Sequence, residues 1–138
     1  MSIIDDIIET VREWISYADD DLRLAEHTLK TIDDCPYNLV AYHAQQCVEK
    51  YLKAWLIYSG IDFPYTHDIS KLLELCGNEI VWIKMLDDAE EITTYATIVR
   101  YPRKEEKVTE EKAHQAIQIA NHVKETVRTA LIQKGMKI

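Results

Sequence analysis

Hydrophobic positions recur at helical spacing through most of the chain, broken by short clusters of Pro, Gly and Asp. Ile4, Ile7, Ile8, Val11, Trp14, Ile15, Ala18, Leu22, Ala25 and Leu29 keep an i, i+3/i+4 rhythm, which predicts a first helix over about 3–31. Ser2 is placed to cap it, with Asp5 and Asp6 near its positive end. Asp33-Asp34-Cys35-Pro36 stops it, because Pro restricts the residue before it. The stretch Tyr37 to Gly60 then reads as the central helix, with Gly60 as its left-handed cap. Ala41, Ala44, Cys47, Val48, Tyr51, Leu52, Trp55 and Tyr58 fill about half of its circumference, an arc wide enough for two or more neighbours or a dimer contact. A narrow polar stripe of Tyr42, Gln46, Glu49 and Lys53 runs opposite. Gln45 projects into the apolar arc, where an amide without partners costs roughly 1–3 kcal/mol. A second copy of the same helix is the first place to look for its partner.

Further on, Thr66 is expected to cap a short third helix that buries Ile69, Leu72 and Leu73 and closes at Gly77. The segment Glu79 to Met85 reads equally as a short helix or a packed loop around Trp82. A fourth helix over about 86–99 aligns Leu86, Ala89, Ile92, Ala96 and Val99, and Pro102 ends it near Arg100 or Tyr101. The charged connection Arg103 to Val108 reads as exposed. Thr109 caps the last helix, whose inner face carries Ala113, Ala116, Ile117, Ala120, Val123, Val127, Ala130 and Leu131. The pattern predicts a single all-α domain over 1–138. It is an up-and-down bundle of four main helices plus one short helix.

Composition agrees with helix: only three Gly and three Pro in 138 residues. The formal charge of −8 argues against broad, sequence-independent binding to nucleic acid, which needs Lys and Arg to neutralise phosphates; a small basic cleft remains open. No apolar run approaches the roughly 18–20 residues of a membrane span, and the acidic start is no secretory signal, so a cytoplasmic protein without membrane attachment is expected. Cys35, Cys47 and Cys76 are odd in number and lack CxxC spacing, as expected for reduced thiols without a metal site.

Several kinds of chemistry find no support. Three isolated glycines cannot build a phosphate loop, no two of the five His stand four apart, and no nucleophile elbow is present, so neither metal nor cofactor is expected. Four features remain. Asp19-Asp20-Asp21 is a solvated mid-helix face, or a carboxylate aimed at a site, with Asp21 best placed because it precedes Leu22. Gln45, Gln46, Glu49, Lys50 and Lys53 form a solvated face with one i, i+4 ion pair, or a polar site. Thr66-His67-Asp68 is a capping turn or part of that site. Arg100-Tyr101-Pro102-Arg103-Lys104 is a helix stop, or a phosphate site in which Arg forks onto oxygens and Tyr stacks on a base.

These places occur together in one family. Asp21-Leu22, AYHAQQCVEKYLKAWL (41–56), GIDFPYTHDISKLL (60–73) and VRYP (99–102) resemble the HEPN domain, a small prokaryotic helical domain often encoded beside minimal nucleotidyltransferases. The resemblance covers roughly 20–127. It implies a helical bundle that forms a homodimer, associates with nucleotide or RNA, and pairs with a nucleotidyltransferase in a toxin–antitoxin-type system. Many members are metal-independent ribonucleases whose motif is an Arg and a His four to six residues apart. Here Glu105, Glu106 and Lys107 stand at that spacing from Arg100, and Val108, Thr109 and Glu110 from Arg103, so that motif is absent.

Three readings follow. In the first, the chain is a module that binds nucleotide or RNA through Arg100, Tyr101, Gln46, Glu49, Lys53, His67 and Asp68. In the second it is a ribonuclease with a relocated catalytic set, Arg100 with His67 or His114. The third is a structural dimer whose polar stripe only stabilises an interface.

Overall fold

The structure is a computed structural model described over residues 2–77 and 107–138. Four helices are present among the described residues: α1 (Ile3–Thr31), α2 (Tyr37–Tyr58), α3 (Ile69–Cys76) and α4 (Glu110–Gln133). The expected helix over 86–99 and the segment around Trp82 lie outside the described residues.

Local signals explain the boundaries. Ser2 and Asp5 form a reciprocal capping box at the start of α1. Gly60, at φ 72°, takes the left-handed turn after α2, and its amide donates to the Ile57 carbonyl. Thr109 Oγ1 accepts from the Lys112 amide and starts α4. One expectation needs correction: α3 is capped by Asp68 rather than Thr66, and begins at Ile69. The Asp68 carboxylate accepts from the amides of Ser70 and Lys71, whereas Thr66 Oγ1 only accepts from the Asp68 amide in the preceding turn. A short carboxylate two residues ahead of the first free amides outcompetes a hydroxyl further out.

Helix α2 is the centre of the bundle. Helix α1 runs antiparallel to it, since Trp14 reaches Lys53, Asp19 meets Tyr51, and Asp21 meets Lys50 and His43. Helix α4 runs alongside α2 in the same direction, with Ala113 packed near Val40 and the Tyr58 hydroxyl donating to the Lys134 carbonyl. The buried residues follow the predicted arcs. Val11, Ile15, Ala18 and Leu22 come from α1, and Ala44, Val48, Tyr51, Leu52, Trp55 and Leu56 from α2. Ile69 and Leu72 come from α3, and Ala116, Ala120, Val123, Val127 and Leu131 from α4. Ala18, Ala44, Ala116 and Ala120 are fully buried small residues that allow close helix approach. Against expectation, Ile4 is exposed, because the first turn of α1 extends past its neighbours; Val108 is buried rather than exposed.

Candidate functional site

The polar stripe of α2 does not face solvent. Gln45, Glu49 and Lys53 are the buried polar residues among those described, at 0%, 2% and 6% exposure. Their arrangement is a relay. Gln46 Nε2 donates to Gln45 Oε1 at 3.0 Å, and Gln45 Nε2 donates to Glu49 Oε1. The other Glu49 oxygen lies 2.9 Å from His67 Nδ1 and 3.9 Å from Lys53 Nζ. Gln45 is thus satisfied within its own chain, by side chains at i+1 and i+4; the expected partner helix is not needed.

His67 reaches Glu49 from the loop between α2 and α3. In the neutral ring, with the Glu49 carboxylate accepting at Nδ1, that nitrogen is the donor and Nε2 the acceptor. Among the described residues, His67 Nε2 is buried and has no hydrogen-bond partner, and the same holds for the indole Nε1 of Trp55. Such an atom is rare in a folded protein, because an unsatisfied buried polar group costs about 1–3 kcal/mol.

The charges beside it are also disfavoured. Burial pushes the Glu49 carboxyl above its ordinary value, although His67, Lys53 and Gln45 all act to lower it. Burial likewise pulls the Lys53 ammonium below its ordinary range, against the attraction of Glu49. The Lys53 ammonium lies 5.7 Å from the Trp14 ring centre and 5.9 Å from that of Tyr65, so aromatic faces replace part of its lost hydration. Opposite charges held in an apolar pocket against their own desolvation are a frequent property of binding and catalytic sites.

A second cluster joins α1 to α2. Asp21 lies 2.9 Å from His43 Nδ1 and accepts from the Lys50 ammonium. Burial raises its pKa, but the bonds from His43 and Lys50 outweigh that and hold the carboxyl below its ordinary 3.8. A carboxyl lowered in this way stabilises the fold above its unfolded pKa and loses the contribution as pH falls through the folded one. Asp21→Asn is therefore expected to lower stability by about 1–2 kcal/mol at neutral pH, and the gap to the wild type should close in acid; urea titrations at the two pH values measure it. Asp19 also bridges helices, accepting from the Tyr51 hydroxyl and pairing with Lys124 at 3.3 Å and Arg128 at 3.5 Å. Of the three successive carboxylates, only Asp20 is largely solvated.

The predicted site residues thus divide. Glu49, Lys53 and His67 come together, with Gln46 one step behind through Gln45. Asp68 is close in sequence, but its carboxylate is taken up in capping α3. His114 is exposed on α4, 3.9 Å from Glu110. Arg100 and Tyr101 lie outside the described residues. Sequence reasoning missed Trp14, which it assigned to the core, and Tyr65, which lay in a loop without periodicity. Cys47 and Cys76 are no nucleophiles: burial pushes both thiols up, that of Cys76 to about 12. Among the described residues no group of three or more His, Cys, Asp or Glu could hold a metal ion, and no helix is long and apolar enough to cross a membrane.

Residues 11–130 match the model of the HEPN domain family. The chain is 30% identical to a Methanocaldococcus jannaschii protein named "Putative toxin MJ1304", over 94% of each chain. Among solved structures it is similar to ST0689, an archaeal HEPN homologue, with a TM-score of 0.71, 28% identity, and coverage of 88% of this chain and 97% of that one. TT1696 from Thermus thermophilus shares the fold at a TM-score of 0.75 and 24% identity, over 86% of this chain and 96% of that one.

Proposed function

Because the chain belongs to the HEPN domain family, we propose that it is a toxin-type HEPN module that binds a nucleotide or an RNA end at the Glu49–Lys53–His67 site. The observation that carries this reading is the buried, unpartnered Nε2 of His67, held in place by Glu49 beside a desolvated ammonium. A ligand hydroxyl or exocyclic amine can donate to Nε2. The Lys53 charge suits a phosphate oxygen. In this reading Arg100 holds a phosphate and Tyr101 stacks or hydrogen-bonds, both roles taken from the family resemblance. The active form is a homodimer paired with a nucleotidyltransferase that restrains it, roles taken from the family resemblance; the relative named "Putative toxin MJ1304" supports the toxin part alone.

A thermal melt tests the binding. ATP or a short single-stranded RNA at a hundred times its Kd should stabilise the fold by about 2.7 kcal/mol, a shift of several degrees. Arg100→Ala should remove most of that shift. No shift with either ligand at millimolar concentration ends the binding reading.

The same geometry favours a second reading, a metal-independent ribonuclease. A His oriented by a carboxylate at Nδ1 with Nε2 free is arranged as a general base. His67 Nε2 would take the proton of a ribose 2′-hydroxyl, whose oxygen attacks the adjacent phosphorus. The bond to the 5′-oxygen breaks, and that oxygen takes a proton from water, leaving a 2′,3′-cyclic phosphate and a 5′-hydroxyl. Cleavage of RNA by purified protein in the presence of a chelator separates this reading from binding alone.

A further inference from the structure

A groove of about 830 Å³ lies between α1 and α4, lined in part by Arg12, Arg23, Lys30, Lys124 and Arg128. Its cations are mostly matched already. Lys124 and Arg128 hold Asp19, Arg23 holds Asp20 at 2.6 Å, and Arg12 donates to the Lys137 carbonyl at 2.9 Å. It reads as a clamp that ties two helices over Tyr51. The loop over the α2 site carries more.

Tyr65 is the most exposed large hydrophobic residue among those described, at 89%. Single exposed apolar side chains are ordinary, and Ile3, Tyr17 and Leu24 are others on this surface. Tyr65 differs from them in its surroundings. Its ring meets the His67 imidazole edge-on, with centroids 5.4 Å apart, and stands 5.9 Å from the buried Lys53 ammonium. Lys53 in turn lies 5.7 Å from the Trp14 ring on α1. An aromatic side chain therefore stands beside a desolvated polar cluster while burying almost none of itself.

Its mount is firm. The turn that follows it, Thr66–Asp68, is closed by the Asp68 amide donating to Thr66 Oγ1, and Asp68 is fixed by capping α3. Between them His67 is tied to Glu49. A ring held on such a short, hydrogen-bonded segment loses little conformational freedom when a planar ligand settles on it, which favours affinity. The Lys53 ammonium lies over one face of the Tyr65 ring, and the 89% exposure of the residue leaves ring surface open to a ligand. Every nucleobase has a π-face, and stacking on an aromatic side chain is the usual way an unpaired base is held without sequence readout.

We propose that Tyr65 is the base-stacking platform of the site, so that its ligand is an unpaired nucleotide whose base lies on Tyr65 while its polar groups face Lys53 and His67. This rests on the binding reading above and adds to it the class of ligand: a single-stranded end or free nucleotide, and not a duplex, whose bases offer no open face. Trp14 is a positioning residue that helps hold Lys53 beneath the platform.

Fluorescence anisotropy with a labelled single-stranded RNA hexamer tests the proposal, with inorganic triphosphate as a ringless competitor. Tyr65→Ala should weaken hexamer binding by about tenfold to a hundredfold. Tyr65→Phe should bind within about twofold of the wild type, since the ring and not the hydroxyl stacks, and Tyr65→Leu should behave like Tyr65→Ala. The triphosphate should compete equally well against wild type and Tyr65→Ala. The melting temperature should not change, because the exposed ring packs on little. Wild-type affinity in Tyr65→Ala or Tyr65→Leu overturns the platform. So does an equal loss for hexamer and triphosphate, which would mean that the loop itself had been disturbed. If Lys53→Met and His67→Gln lose the hexamer while Tyr65→Ala keeps it, the platform fails and the binding reading stands. A wild type that binds neither the hexamer nor ATP removes both.

Discussion

Glu49→Ala is expected to be the most destabilising single change in the site, at about 3–5 kcal/mol. It removes the acceptor of Gln45 Nε2 and of His67 Nδ1 in one step and leaves the Lys53 ammonium without a countercharge. Glu49→Gln should cost less, because the amide keeps the shape and one of the two acceptor oxygens. The comparison has a definite pH dependence. A carboxyl whose folded pKa is raised carries no ionisation cost below its unfolded value and the full cost above its folded one. Glu49 is raised from an ordinary 4.5 by burial. As pH rises from that value through the folded one, the wild type should lose stability relative to Glu49→Gln, the opposite of the trend for Asp21. The double change Glu49→Gln/Lys53→Met should exceed wild-type stability by about 1–4 kcal/mol, since buried ion pairs are often outperformed by neutral groups of similar size. Denaturant unfolding across this pH range gives all three curves. A double variant less stable than the wild type would mean that the pair is there for the fold.

That comparison also shows what was legible in the sequence. The helices were, because their signals are local: the Ser2 capping box, the Pro36 stop, the Gly60 turn and the Thr109 cap each act within a few residues. The fully buried position of Gln45 could also be read, from its angle on the helix wheel. Its partner could not, because Gln46 and Glu49 share its helix and only side-chain rotamers decide whether they turn inward or outward. The same ambiguity made Glu49 and Lys53 readable as a solvated ion pair. Their burial depends on what packs over α2, and no helical period encodes that. Trp14 illustrates the limit from the other side. It fits the apolar rhythm of α1, and only the antiparallel register against α2 sets it over Lys53. His67 was singled out from the family resemblance and from its place in a capping turn; that Nδ1 is tied and Nε2 is buried without a partner among the described residues is visible only in three dimensions. Backbone caps and turns within a few residues can be read from the chain; side-chain rotamers, even one or four residues apart, and contacts between helices need the fold.

Replacing His67 by Ala is expected to have the largest effect on ligand binding. Deleting the imidazole removes the bare acceptor Nε2 and takes away the donor that fixes the Glu49 carboxylate. Loss of a buried hydrogen bond of this kind corresponds to about fivefold to 150-fold in affinity for a single-stranded RNA. His67→Gln separates the two contributions, since its amide can still donate towards Glu49 but offers no basic nitrogen. Affinity that returns in His67→Gln means that the ring serves chiefly to hold Glu49. Affinity lost in both variants assigns the contact to Nε2. The same pair of variants resolves the ribonuclease reading. General-base participation is worth about a hundredfold to ten-thousandfold in rate, and an amide cannot supply it. Chelator-resistant cleavage should then fall by that factor in His67→Gln even where binding is restored. Cleavage that survives both substitutions would place the proton transfer on a different residue and leave His67 as a ligand-binding group only.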